Sequence, residues 1–183
     1  MRSEFLLPIF VFFDNIKKHM EITELKPKYA SQAKDLLVEL QKYIIKMDEF
    51  FLNIIGENFR EQYYKKLVSK TKRNSGKIYI AKSGEKVVGL IAGYIEKYSK
   101  SDAIDYACPK KGIIAELIVT MQQQKNGVGQ KLMDKMQQYF LEENCEYVSL
   151  EVFAYNQNAK RFYEKNGFCE RCVIMAKKIG TKE

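Results

Sequence analysis

Short apolar runs rich in β-branched residues alternate along this chain with longer stretches whose apolar residues recur every three or four positions. The short runs predict strands at 77–82, 86–94, 113–119, 147–152 and 172–178. The first two flank Ser83-Gly84-Glu85, which is typical of a hairpin turn. Apolar residues have helical spacing over 33–44, about 57–72, 128–140 and 157–166, and these segments predict four helices.

One junction between a predicted strand and a predicted helix points to chemistry. The segment Gln124-Lys125-Asn126-Gly127-Val128-Gly129 joins the strand at 113–119 to the helix at 128–140. The first backbone N–H groups of a helix have no intrahelical partner and the helix dipole is positive there, so main chain alone can hold a phosphate. Gly127 and Gly129 allow the backbone to approach such a group closely. The alternative is an ordinary strand-to-helix turn whose glycines only make it tight.

Several other kinds of site do not fit the chain. A dinucleotide fingerprint needs a third glycine where this chain has Leu132, and a Walker loop needs a Gly-Lys-Ser/Thr sequence, which does not occur. The one histidine, His19, precedes the predicted core, which removes Ser-His and Cys-His nucleophiles and multi-histidine metal sites. Chemistry must therefore use Tyr, Glu, Asp, Lys or main chain.

A second strand-to-helix junction strengthens the functional interpretation of the first. Residues 147–152 alternate as on a strand, and Asn156 is a natural N-cap for the helix that follows. The chain here reads Asn156-x-x-Ala159-x-x-x-Tyr163, then Gly167-Phe168. Together with the loop at 124–129, this pattern resembles two motifs of the GNAT superfamily of acetyl-CoA-dependent N-acetyltransferases. The likeness extends over about residues 20–179, where residues 21–27 resemble the family's first strand and its turn.

The resemblance implies an α+β GNAT acyltransferase fold, with a mixed, mostly antiparallel central sheet of about six to seven strands and about four flanking helices. With 183 residues, 46% of them hydrophobic, the chain can bury one α/β core. No linker-like stretch or internal repeat interrupts it, so we expect a single N-acetyltransferase domain over 20–183.

Residues 1–19 form an apolar N-terminal extension that fits this interpretation less well. Its apolar run at 5–13 is too short to span a bilayer, and no small-residue cleavage site follows it. We therefore expect no membrane partner. The apolar face of the extension has two alternative partners, the domain itself or a second subunit, which leaves a homodimer open.

The resemblance implies specific roles for residues at the two junctions. Acetyl-CoA would be the co-substrate, a primary amine the acceptor, and Tyr163 the acid that protonates the leaving thiolate. The base is open between Glu116 and Glu151, carboxylates among apolar neighbours where desolvation raises a pKa. The residues implied to bind the cofactor are Leu117, Val119, Gln124, Lys125, Asn126, Gly127, Val128, Gly129, Gln130, Asn156 and Asn158.

Charge and cysteine content narrow the partners and the compartment. The net charge of +8 is partly concentrated between residues 60 and 86, which favours polyanionic CoA, or an acidic or nucleic-acid-associated acceptor, over a polycation. A solvated helix face is the commoner explanation for such a patch, and no nucleic-acid-binding motif accompanies it, so no nucleic-acid partner is expected. Four irregularly spaced cysteines favour the reducing cytoplasm. Cys169-x-x-Cys172 lacks a second pair for zinc, so no metal is expected.

Two other functional classes stay open from the sequence. The first is a non-catalytic CoA-binding or sensing module of the same fold. The second is an acyltransferase whose donor is longer than acetyl. The identity of the acceptor amine is also open, because its pocket would be built from the parts of such domains that vary.

Overall fold

The computed structural model describes residues 20–180. The apolar extension predicted over residues 1–19 lies outside the described residues. The division of the chain into that extension and one domain over 20–183 therefore stays a prediction.

A central sheet of five strands organises the described residues. The strands lie in the spatial order β1-β2-β3-β4-β5, and each neighbouring pair is antiparallel except β4 and β5, which are parallel. The strands are β1 Met20–Glu24, β2 Lys77–Ser83, β3 Lys86–Ile95, β4 Lys111–Val119 and β5 Tyr147–Leu150. The α-helices are α1 Ala30–Met47, α2 Phe59–Arg73, α3 Val128–Glu142 and α4 Gln157–Lys165. The mixed, mostly antiparallel sheet and the four helices confirm the predicted α+β class.

The two faces of the sheet bury two separate apolar clusters. Helices α1 and α2 cover one face, where Leu36, Leu37 and Leu67 pack against Ile80 and Leu90. Helix α3 covers the other face through the stripe expected from its sequence, which includes Val128, Leu132, Met136 and Phe140. The sheet therefore places α2 and α3 on opposite sides of β4.

The predicted count of six to seven strands is wrong for the described residues, which contain five. Residues 172–178 form no strand, and the strand predicted at 147–152 ends at Leu150. In the first segment Val173, Ile174 and Met175 are 67%, 87% and 91% exposed. A strand needs a neighbouring edge to pair with, and β5 offers an edge of only four residues before the chain leaves the sheet.

Between residues 20 and 180 no helix combines the length and the apolar character needed to cross a membrane. Over the same residues no group of three or more His, Cys, Asp or Glu side chains is placed to hold a metal ion.

Candidate active site

Strands β4 and β5 run together for four residues and then separate. Their parallel pairing begins at Lys111 with Tyr147 and ends at Ile114 with Leu150. Beyond that point β4 pairs on one side with β3, as far as Val119 opposite Gly89. The other backbone edge of residues 115–119 is therefore not paired with β5. A cleft of about 400 Å³ lies along the paired ends of β4 and β5, beneath α2.

A β-bulge sets the direction of Glu116. The register of β3 and β4 shifts between Ala92, which faces Glu116, and Gly93, which faces Ile114, so Ala115 is the extra residue. A bulge places two consecutive residues on one face of a strand. Ala115 accordingly packs on the α1–α2 cluster, and Glu116 turns to the same side, where the Tyr63 hydroxyl donates a hydrogen bond to its Oε1.

The Glu116 carboxyl is electrostatically perturbed. Burial raises its pKa above the ordinary range, whereas the hydrogen bond from Tyr63 and the charge of Lys70 act in the opposite direction. Burial also raises the pKa of the Tyr63 phenol, and the neighbouring Glu116 charge raises it further. A carboxyl whose pKa is moved toward neutrality, inside a cleft, has the properties of a general base.

Glu151 also lines this cleft. It follows the last residue of β5, and its side chain is exposed. The structure therefore brings both candidate glutamates to one cleft. The sequence predicts that both are shielded from solvent, but Glu116 is half-buried and Glu151 is exposed.

The C-terminus of α4 holds Tyr163 in place. The Phe168 N–H donates to the Tyr163 carbonyl at 3.1 Å and the Gly167 N–H to the Glu164 carbonyl at 3.0 Å, while Gly167 adopts a φ of +83°. These two hydrogen bonds around a left-handed glycine form the Schellman motif. The apolar contact that usually accompanies this motif is here the edge-on packing of Phe168 on Tyr163. The Gly-Phe pair of the sequence motif thus has a local structural cause.

The hydroxyl of Tyr163 makes no hydrogen bond within residues 20–180. Burial, followed by the Glu116 charge, raises the pKa of this phenol to about 12. The phenol therefore keeps its proton throughout the neutral range. The Glu116 charge therefore acts on this phenol.

Asn156 has the capping role predicted for it. Its Oδ1 accepts from the Ala159 N–H at 3.2 Å, and the Tyr43 hydroxyl of α1 also donates to it at 3.2 Å. Asn158 is exposed, and its Oδ1 accepts from Nη2 of Arg161 at 3.0 Å. Both side chains retain their amide N–H groups as donors.

The start of α3 presents backbone donors. Gly127 is the N-cap with a φ of +75°, and the first intrahelical bond runs from the Lys131 N–H to the Gly127 carbonyl at 3.1 Å. The N–H groups of Val128, Gly129 and Gln130 precede that bond and have no intrahelical acceptor. Lys125 and Asn126 are exposed just before them.

Two glutamine side chains connect this loop and the start of α3 to their surroundings. Nε2 of Gln124 donates to the Val119 carbonyl at 3.1 Å, which ties the loop to the end of β4. Nε2 of Gln130 donates to Oδ1 of Asn166 at 2.6 Å, which ties α3 to α4. Leu117 and Val119 point to the opposite face from Glu116 and pack on the α3 cluster.

The two loop glycines differ in what requires them. Gly127 needs its glycine for backbone reasons, since its φ lies in the left-handed region. A Cβ at Gly129 would meet Phe162 at 3.7 Å and Val119 at 3.8 Å, which is ordinary contact. The fold itself therefore does not require glycine at 129, and a ligand that comes close to the backbone would.

Sequence reasoning missed one group of residues in this cleft. Tyr63, Lys66 and Lys70 of α2 all line it. Lys66 and Lys70 lie three and seven residues after Tyr63, a spacing that places all three on one face of a helix. The sequence therefore indicates that they share a face. Nothing in the sequence alone indicates that this face meets Glu116, because the contact depends on the bulge.

The mixed sheet, whose strands β4 and β5 diverge beside the start of α3, has the architecture of an acyltransferase. Residues 43–168 match the acetyltransferase (GNAT) family, and the chain belongs to that family. The resemblance seen in the sequence motifs is thereby confirmed.

Individual relatives are more distant. N-alpha-acetyltransferase 30 of Homo sapiens and of Mus musculus are each 31% identical over 90 residues, 49% of this chain. The matched region is 23% of the length of those relatives. An aminoglycoside acetyltransferase from an uncultured soil metagenomic sample, in complex with trehalose, superimposes with a TM-score of 0.62 at 20% identity, covering 88% of this chain and 97% of its own. Aminoglycoside N-acetyltransferase AAC(6')-Iy in complex with CoA gives 0.65 at 15%, covering 88% and 96%. At these identities the structures show a shared fold.

Proposed function

We propose that this protein is an N-acetyltransferase that moves an acetyl group from acetyl-CoA to a primary amine by direct attack in a ternary complex. The observation that carries the proposal is the combination of a carboxyl of raised pKa, Glu116 on β4, with a protonated phenol, Tyr163 on α4, on which the Glu116 charge acts. Amide formation needs a group that removes a proton from the amine and another that meets the leaving sulfur.

The cofactor would be held mainly by main chain. The edge of residues 115–119 that β5 leaves unpaired can bond a pantetheine arm as though it were an added strand. The loop N–H groups of residues 125–127 and those of Val128, Gly129 and Gln130 would receive the diphosphate, helped by the helix dipole. The amide N–H groups of Asn156 and Asn158 remain available for the pantetheine. Gln124 contributes indirectly, by holding the loop to β4.

The proton balance assigns different roles to the two glutamates. An alkyl ammonium has a pKa of about 10.4 and must lose a proton before it attacks. Glu116, half-buried and of raised pKa, would take that proton, and the exposed Glu151 would attract the ammonium to the cleft. The amine nitrogen then bonds the acetyl carbon while the carbon–sulfur bond breaks. Tyr163 donates its hydrogen bond to the departing thiolate and supplies the proton that completes the thiol. The proton that the new amide nitrogen releases restores the Tyr163 phenol, and Glu116 returns its proton to solvent.

Cellular context and assembly belong to the same proposal. The four cysteines are unpaired thiols, two of them exposed, which supports a reducing compartment such as the cytoplasm. The homodimer left open by the sequence stays a prediction, and sedimentation at several protein concentrations measures it.

The proposed reaction is tested by following CoA release from acetyl-CoA with a panel of primary amines. We expect amine-dependent turnover, and mass spectrometry of the product should show a gain of one acetyl group. A CoA-sensing module would bind acetyl-CoA and leave every amine unchanged. An enzyme for longer acyl donors would turn over propionyl- or butyryl-CoA faster than acetyl-CoA with the same amine.

Tyr63→Phe is expected to shift the pH dependence of this activity upward. Burial raises the pKa of Glu116, and the hydrogen bond from Tyr63 lowers it. Without that hydrogen bond the effect of burial is opposed only by the Lys70 charge, so the pKa rises further. A base acts when deprotonated, so the acid limb of kcat/KM should move to higher pH while the plateau at high pH changes less. Glu116→Gln should lower the plateau itself.

Tyr64→Phe is the matched control, because Tyr64 is the next residue of α2 and does not line the cleft. Its profile should overlay that of the wild type. An acid limb that stays in place in Tyr63→Phe would show that Glu116 is not the titrating base.

A further inference from the structure

The walls of the acceptor cleft carry charges of both signs. Three carboxylates line it, Glu96, Glu116 and Glu151, together with three lysines, Lys66, Lys70 and Lys111. One pair is internally neutralised, since Nζ of Lys111 lies 2.5 Å from Oε2 of Glu96. The other two carboxylates, Glu116 and Glu151, and the other two lysines, Lys66 and Lys70, remain to interact with a bound substrate.

The two remaining lysines have no carboxylate partner among the described residues. Nζ of Lys70 lies 4.5 Å from the ring centroid of Tyr94, another residue of the cleft wall, so an aromatic face steadies the ammonium without using its hydrogen-bond donors. Lys66 is exposed on the same wall. Elsewhere in the described residues Lys34 of α1 pairs with Glu61, and Lys160 of α4 pairs with Glu170.

Helix α2 fixes where these lysines lie relative to the proposed base. Tyr63 holds Glu116, and Lys66 and Lys70 follow on the same helix face. At 1.5 Å rise per residue they lie about 4.5 and 10.5 Å further along the helix axis. The same cleft thus carries two carboxylates, Glu116 and Glu151, and two lysines of α2 within about two helical turns of the Tyr63–Glu116 contact.

We propose that the acceptor is a zwitterion: an amine that also carries a carboxylate a few bonds from the reacting nitrogen. The inference rests on the proposed acetyltransferase function and names its substrate class. Glu116 and Glu151 receive the ammonium end, and Lys66 and Lys70 receive the carboxylate. A polycation such as an aminoglycoside or a polyamine would place a second positive charge against the two lysines. Two lysines of the basic segment between residues 60 and 86, Lys66 and Lys70, would thus bind the acceptor directly.

The test compares three primary amines on one four-carbon chain: 4-aminobutyrate, n-butylamine and 1,4-diaminobutane. With saturating acetyl-CoA, we expect kcat/KM for 4-aminobutyrate to exceed that for n-butylamine by about tenfold, since two ion pairs of ordinary strength act together. The diamine should be the poorest of the three. In the double variant Lys66→Gln/Lys70→Gln the advantage of the carboxylate, taken as the ratio of kcat/KM for 4-aminobutyrate to kcat/KM for n-butylamine, should vanish. Both values are taken on the high-pH plateau, because loss of the Lys70 charge also raises the pKa of Glu116.

The double variant Lys65→Gln/Lys72→Gln controls for net charge. Both residues are exposed on α2 and neither lines the cleft, so this variant loses the same charge and should keep the wild-type order of the three amines. Turnover without a preference for the carboxylate, or a preference that survives in Lys66→Gln/Lys70→Gln, overturns the zwitterion assignment and leaves the acetyltransferase intact. Absence of turnover with every amine, when acetyl-CoA still binds, refutes the acetyltransferase proposal and this inference with it.

Discussion

Gly129→Asp is expected to abolish acetyl-CoA binding without unfolding the protein. Gly129 is the second residue of α3, where an added Cβ meets only ordinary contacts and a carboxylate is favoured by the helix dipole. The same carboxylate would face the diphosphate and occupy its N–H donors. Two like charges 4 Å apart repel by about 4 kcal/mol at an effective dielectric constant of about 20. A loss of at least about 100-fold in affinity follows, which corresponds to about 2.7 kcal/mol.

Calorimetry and thermal unfolding together measure this effect. In calorimetry Gly129→Asp should give no heat with acetyl-CoA or CoA, and its Tm without ligand should equal or slightly exceed that of the wild type. Excess acetyl-CoA should raise the Tm of the wild type and leave that of the variant unchanged. Gln138→Glu adds the same charge on an exposed part of α3 about 15 Å from the helix start and should bind normally. Normal binding of acetyl-CoA by Gly129→Asp would show that the diphosphate does not bind at the start of α3.

The features that could be predicted from the sequence are those determined by neighbouring residues. Gly84 at the hairpin turn, Asn156 as an N-cap and Gly167 as a helix terminator all act within a few positions of themselves. The same holds for the loop at 124–129, where Gly127 adopts its left-handed conformation before the apolar stripe of α3 begins. Such local rules identified the helices, four of the strands and the positions of Tyr163 and Gly129.

The features that could not be predicted depend on the partner of each segment. Residues 172–178 have the composition of a strand, but whether an edge is present to receive them is a property of the whole sheet. The direction of Glu116 depends on a register shift opposite Ala92, and a shift of one residue reverses the face to which a side chain points. The contact of Glu116 with Tyr63, and with it the charged wall of α2, follows from that single bulge.

Tyr163→Phe is expected to lower kcat by about 100-fold while leaving acetyl-CoA binding unchanged. General acid catalysis contributes about 10² to 10⁴ in rate, and we expect the lower end here. A phenol of pKa about 12 is a weaker acid than a thiol of pKa about 8.5, so most of the stabilisation comes from the hydrogen bond to the departing sulfur. The hydroxyl has no hydrogen-bond partner in the part of the chain that the structure describes, so its removal should change the free energy of unfolding by less than about 0.5 kcal/mol.

Tyr147→Phe supplies the matched control, because Tyr147 is 62% exposed at the start of β5, at the opposite end of that strand from the point where β4 and β5 separate. The two variants lose the same atom, so a difference in kcat between them reports the position of the hydroxyl and not its chemistry. Single-turnover measurements with preloaded acetyl-CoA should show the loss in the chemical step itself. A kcat for Tyr163→Phe equal to that of Tyr147→Phe would exclude Tyr163 as the acid. Proton delivery to the sulfur would then have to come from solvent.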